Sequence, residues 1–150
     1  MRPSSSRAIV GGLLGTIAIT FLMYSVAPLM LGQPMDVAKM LGDFLGTTRG
    51  VGMAVHYING TIIFPLIFAW ILWNFLPGGP TGKGVTWGFI LWFLSQAIVT
   101  PMMGGGFFSA NAGGTMAVVA SLLGHIVYGA ILGAVTGAPA VSIGQERRAA

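Results

Sequence analysis

Only two side chains in this 150-residue sequence can carry acid–base chemistry near neutral pH within the bilayer core, and both are histidines, His56 and His125. An imidazole is a versatile ligand and proton carrier, and each sits among small neighbours at helical spacing. Gly52 and Gly60 lie four residues either side of His56; Ser121 and Gly129 do the same for His125. Three readings follow. In the first, the imidazoles face each other as axial ligands of haem b, and Gly52, Gly60, Ser121 and Gly129 leave room for the flat macrocycle. Arg49, seven residues before His56, falls two helical turns, roughly 10 Å, away on nearly the same face, within reach of a propionate. In the second, soft thioethers join the imidazoles around Cu(I), drawn from Met30, Met53, Met102 and Met103, with Met35, Met40 and Met116 on the same side. In the third no cofactor is bound: each histidine hydrogen-bonds a hydroxyl or carbonyl on a neighbouring helix, and the glycines let helices approach closely.

Other chemistry lacks its groups. There is no cysteine, and Asp36, Asp43 and Glu146, the whole acidic inventory, fall outside the apolar stretches. Paired acid–base catalysis therefore has no carboxylates to use, serine has no evident histidine–acid partners, and a proton-coupled transporter would lack its intramembrane acid. No catalytic residue is assigned, and an enzyme is not the expectation.

These histidines must be positioned by a bilayer-spanning scaffold. Of the residues, 55% are apolar and 7% charged, against about a quarter charged in an ordinary soluble domain. A disordered chain would be poor in apolar residues and rich in charge. Positive charge is scattered without a basic run, which argues against nucleic acid as a partner. A spanning helix needs about 20 mostly apolar residues, and four stretches qualify: 7–31, 51–76, 85–103 and 115–139. The first resembles a signal peptide at Ser25-Val26-Ala27, but its apolar core is too long and Pro28 would follow the cut, so it reads as a retained anchor. Arg2, Arg7, Lys83, Arg147 and Arg148 fall with the termini and the middle turn, against Lys39 and Arg49 opposite. The positive-inside rule then puts both termini in the cytoplasm of a bacterial inner-membrane protein, with Trp70, Trp73, Trp87 and Trp92 forming an aromatic belt at the cytoplasmic interface.

The connectors differ. Pro77-Gly78-Gly79-Pro80 predicts a tight turn. From Pro34, suited to a first helical position, Val37, Met40, Leu41, Phe44 and Leu45 recur at helical spacing and predict an interfacial helix over 34–45. The uncharged stretch Gly104 to Asn111 is expected either to tuck against the bundle or to be covered by a partner. Pro65 should free the Thr61 carbonyl and kink its helix. The amides of Gln96 and Asn59 are expected to bridge helices.

The chain also aligns with itself. Gly15, Val26, Pro28, Met30 and Gly32 match Gly88, Val99, Pro101, Met103 and Gly105 at one constant offset, and the segments around His56 and His125 then correspond. The expected fold is an all-α transmembrane four-helix bundle, a single domain over 1–150, made of two parallel-repeat hairpins about an axis along the membrane normal.

His56-Tyr57-Ile58-Asn59-Gly60, Phe64-Pro65-Leu66, Thr100-Pro101-Met102-Met103-Gly104, Gly106-Phe107-Phe108 and Gly124-His125-Ile126-Val127-Tyr128-Gly129 together resemble an uncharacterised bacterial family of small four-span membrane proteins. The resemblance implies the architecture and brings no activity. The expected function is an accessory or electron-carrying subunit of a bacterial membrane complex, or a homo-oligomer, with haem b on His56 and His125. Its rivals are a Cu(I)-binding protein and a structural or assembly protein without cofactor, docking through its Met- and Phe-rich loops.

Overall fold

A computed structural model describes residues 3–138 and is all-helical over them. Four helices are long and apolar enough to cross a membrane: α1 (Ser5–Leu31), α3 (Arg49–Leu72), α4 (Pro80–Met102) and α5 (Gly114–Thr136), with the short α2 (Val37–Phe44) between the first two. Only 22% to 33% of each apolar window is buried within the bundle, and Leu14, Ile17, Phe75, Phe89 and Leu123 point outward. Helices that stay apolar on their outer faces suit a membrane span and not a water-facing surface, so the chain has the make-up of a multi-pass membrane protein. Arg2, Arg147, Arg148 and the end of the stretch expected at 115–139 lie outside the described residues.

Helix ends follow local chemistry. Gly78, at φ +84°, makes the turn after α3, and Pro80 takes the first position of α4 behind an extended Gly79, so α4 starts earlier than the expected 85. The last carbonyls after α3 are capped from the other side of the turn, where Lys83 Nζ donates to Trp73 O at 2.6 Å and Leu76 O at 2.5 Å. A cation there also favours the helix dipole. The helix expected from Pro34 begins at Val37 instead: the Asp36 side chain accepts from the Lys39 amide at 3.0 Å and serves as N-cap, a role proline cannot fill.

In the bundle α5 is central, packed on α1 on one side and α4 on the other, while α3 leans on α1 and carries α2 at its start. Glycines set these distances. A Cβ on Gly84 would strike the Gly129 carbonyl and one on Gly129 would strike Gly84, so α4 and α5 meet backbone to backbone; Gly11 and Gly15 abut Leu132 and Tyr128. The small-residue faces are thus consumed inside the bundle. Towards the Pro77–Pro80 turn, Ile19, Phe68, Trp87, Leu91, Tyr128 and Leu132 form a dry core.

Two of the four tryptophans depart from the expected belt. Trp87 is in that core, 6% exposed. Trp92 reaches the other end, donating to Val118 O at 3.2 Å with its ring 5.9 Å from that of Phe108. The uncharged connector is tucked in: Ser109 is buried, while Phe108 holds a left-handed φ of 49° because its ring is clamped by Trp92, Phe93 and Phe107. A bulky residue adopts that conformation only where packing enforces it.

Three of the long helices are not α-helical throughout. Leu22–Val26, Asn59–Ile63 and Ser95–Val99 are π-turns, each ending two residues before a proline: Pro28, Pro65 and Pro101. A proline ring clashes with the carbonyl four residues back and lacks an amide; widening the turn removes the clash. The kink expected at Pro65 takes this form. A fourth π-turn, Phe68–Leu72, has no such proline and simply ends α3.

Candidate functional site

Where the core stops, the bundle opens. Towards α2 and the 104–113 connector, all four long helices line a cavity of about 840 Å³. Drug-sized ligands occupy sites of about 300–1,000 Å³ with mostly apolar walls and a few polar groups, and this one matches. Both histidines, Asn59, Gln96, Ser121 and Tyr128 share its wall with Phe64, Leu91 and six methionines. The cavity reaches the surface beside α2, at the exposed Lys39–Asp43 ion pair.

Hydrogen bonds decide which face each imidazole has left to offer. His125 Nδ1 lies 2.8 Å from its own helix carbonyl Ser121 O. A carbonyl can only accept, so Nδ1 carries the hydrogen and, in the neutral ring, Nε2 keeps its lone pair. His56 Nε2 lies 3.0 Å from Thr20 Oγ1 on α1, and the Thr20 hydroxyl hydrogen is already committed to Thr16 O at 2.6 Å. The ring nitrogen must therefore donate, leaving the lone pair on Nδ1. The two histidines thus sit in opposite tautomers, each with one acceptor nitrogen that has no partner among the described residues.

The π-turns add main-chain acceptors. Within them Ala27 donates to Leu22 O, Phe64 to Asn59 O and Thr100 to Ser95 O. The next carbonyls, those of Met23, Gly60 and Gln96, would be served by residues 28, 65 and 101, which are prolines without an amide. All three residues line the cavity. Met23 O takes the Met35 amide at 3.1 Å, which ties the segment before α2 to α1. Gly60 O takes the Tyr128 hydroxyl at 2.8 Å, which ties α5 to α3. Gln96 O has no donor from its own α- or π-register, and no side chain among the described residues supplies one. The Gln96 side chain itself bridges helix and connector, donating from Nε2 to Ser121 Oγ at 3.2 Å and accepting at Oε1 from Ser109 Oγ at 2.7 Å.

Of the residues singled out in the sequence, His56, His125, Gly60, Ser121, Met30 and Met103 line the cavity together; Arg49, Gly52, Gly129, Met53 and Met102 do not. Arg49 is held by Asp36, Nε to Oδ2 at 2.9 Å, with its guanidinium 5.5 Å from the Tyr24 ring centroid, so it clamps α2 and stands outside the cavity wall. Gly52 and Gly129 make no room for a macrocycle either, because a Cβ on them would hit the backbone of α2 and of α4. Met102 faces outward. In their place Met23, Met35, Met40 and Met116 line the cavity. The residues that sequence reasoning left out are Thr20, Tyr128 and the Gln96 main chain; the proline spacing was the available signal.

Asp36 joins the loop to the bundle. Burial alone pushes its carboxyl up, but hydrogen bonds from Tyr24, the Lys39 amide and Arg49 outweigh that and hold it below the ordinary carboxylate range. Among the described residues no three His, Asp or Glu side chains cluster as a metal site, so an ion here would rely on the thioethers as well.

These features define an all-helical protein of the multi-pass membrane type with a mostly apolar cavity, set with a few polar groups, at one end of the bundle. A family model matches residues 3–142, and the chain belongs to that family, a family of unknown function (DUF6789). No curated protein and no solved structure matches the chain.

Proposed function

We propose that this protein is a small membrane-embedded binding protein, an accessory or electron-carrying subunit of a bacterial membrane complex, whose cavity holds an apolar organic molecule. One observation carries the reading: both imidazoles line the same cavity, and each keeps a nitrogen lone pair that the protein does not use. Lysine and arginine asymmetry assigns the cavity end to the outer side, with the termini cytoplasmic. The π-turns Leu22–Val26 and Ser95–Val99 share the offset that relates Gly15 to Gly88, which favours descent from a duplicated hairpin.

The test is to purify the chain in mild detergent, extract it and identify small molecules by mass spectrometry, alongside an absorption spectrum. A stoichiometric apolar compound that His56→Ala and His125→Ala both deplete is the expected result. Bulk lipid alone, unchanged in the variants, would end the proposal.

Two coordination readings have observations of their own. A metal-ligating histidine usually donates its other N–H to a neighbouring acceptor, as His125 does to Ser121 O and His56 to Thr20 Oγ1, so haem b remains a defined alternative. A reducible b-type spectrum abolished by either histidine variant is its signature, and colourless protein from haem-replete cells rejects it. Cu(I) is favoured by six of the nine methionines lining the cavity and would be read as copper retained against a competing chelator.

A further inference from the structure

We infer that the occupant of the cavity carries a phenolic hydroxyl, as a phenol or quinol with an apolar body, and that this hydroxyl donates to the main-chain carbonyl of Gln96. The inference rests on the reading above that the cavity holds an organic ligand, and it names the group that is recognised.

Three positions in the bundle are equivalent. In each of three helices a π-turn followed by proline strips one cavity-lining residue of its main-chain donor. At two of them the protein provides a replacement, the Met35 amide for Met23 O and the Tyr128 hydroxyl for Gly60 O. The third, Gln96, is a cavity-lining residue that is 2% exposed, and its carbonyl finds no replacement among the described residues. Buried carbonyls are nearly always paired, so this residue, beside a ligand-sized space, lacks the donor that its two counterparts have. At Gly60 the replacement is itself a phenol, Tyr128, which shows that a phenolic hydroxyl suits a carbonyl released in this way.

The remaining fixed groups point in the same direction. His56 Nδ1 and His125 Nε2 are acceptors, as their hydrogen bonds to Thr20 and Ser121 require. The Gln96 side chain is consumed by Ser121 and Ser109. Asn59 and Thr100, which also line the cavity, carry groups that both donate and accept. A molecule offering only lone pairs, such as an ether, would leave the Gln96 carbonyl and both ring nitrogens unmatched, whereas a hydroxyl matches one of them and a quinol two. Met23, Met30, Phe64 and Leu91 supply the apolar wall for the rest of the molecule, and methionine adapts to varied apolar shapes.

The test compares 4-octylphenol with its methyl ether, 4-octylanisole, on the purified full chain in detergent, reading the thermal midpoint against probe concentration. The phenol should bind about tenfold more tightly than the ether and, near tenfold saturation, raise Tm by about 3–6 °C. Pro101→Ala returns an amide to the turn and so occupies the Gln96 carbonyl; it should erase the preference for the phenol. Pro28→Ala alters the corresponding turn, whose carbonyl Met35 already serves, and should retain it. Equal binding of phenol and ether overturns the inference while leaving a ligand cavity standing. Binding of neither overturns both. A preference that survives Pro101→Ala excludes Gln96 as the acceptor. Infrared spectra of the wild type labelled with carbon-13 at glutamine carbonyls give a readout free of any folding defect: the labelled band should move to lower frequency with the phenol alone, and an unmoved band overturns the inference.

Discussion

The Tyr128 hydroxyl donates across the bundle to the carbonyl of Gly60, at 2.8 Å. That carbonyl is available because Phe64 donates one residue further back, to Asn59 O, and Pro65 has no amide to offer. Tyr128→Phe should therefore destabilise the bundle by about 1–3 kcal/mol, the range for a buried acceptor losing its partner. In a Pro65→Ala background the helix regains an amide and most of that cost should vanish. A double-mutant cycle by thermal or chemical unfolding in detergent measures this coupling; equal costs in both backgrounds would show that Tyr128 does not serve a proline-released carbonyl.

Gly84 and Gly129 cannot gain a methyl group without pushing α4 from α5, because each Cβ would meet the other helix's backbone. Gly84→Ala should cost about 1–3 kcal/mol, as overpacking does. Gly79→Ala, in the adjoining turn with nothing within 4 Å of its Cβ and no positive φ, should be close to neutral. Comparing the two variants' melting points separates close packing from a general intolerance of alanine.

Asp36 holds α2 through Tyr24, Arg49 and its own N-cap bond. Its carboxyl is held below the ordinary value of 3.8, so its stabilisation is fully present above that pH and is lost as pH falls through the depressed folded value. Acidification should leave α2 docked through the mildly acidic range and release it only at lower pH. Asp36→Asn should release it at neutral pH. Hydrogen exchange across residues 35–45 follows both transitions, and protection unchanged by the variant would show that the ion pair is idle, as many exposed pairs are.

The hydrogen bonds of His56 and His125 require opposite tautomers, with the proton on Nε2 in the first and on Nδ1 in the second. Nitrogen-15 spectra of histidine-labelled protein at neutral pH should show one ring of each kind. Thr20→Val removes the acceptor for His56 and should change only that ring's pattern. Two identical tautomers would refute the assignment.

The four spanning helices were legible because a run of about 20 apolar residues has few other destinies, and the Pro77–Pro80 turn because proline and glycine there suit few other conformations. The histidines stood out for want of competing ionisable groups. The Arg49 ion pair was not legible because its partner, Asp36, comes from a loop that folds back, which periodicity within one helix does not reveal. Trp92 reads as a belt residue from its aromatic type and its place early in its span, yet its indole N–H is engaged by Val118 O. Tyr128 and Gln96 stayed hidden for a different reason: the groups that matter to them are main-chain atoms, and their availability depends on a proline several residues along the chain.

Hydropathy scales assign polarity to side chains, and by that measure Met23, Gly60, Pro28, Pro65 and Pro101 contribute almost none. Yet the π-turns give the interior a second kind of polar site, one that no exchange of the side chain at positions 23, 60 or 96 can erase and that exchange of a proline can. Homologues could therefore vary widely along the cavity wall and still recognise the same chemical group, so long as the proline at position 101 keeps its place.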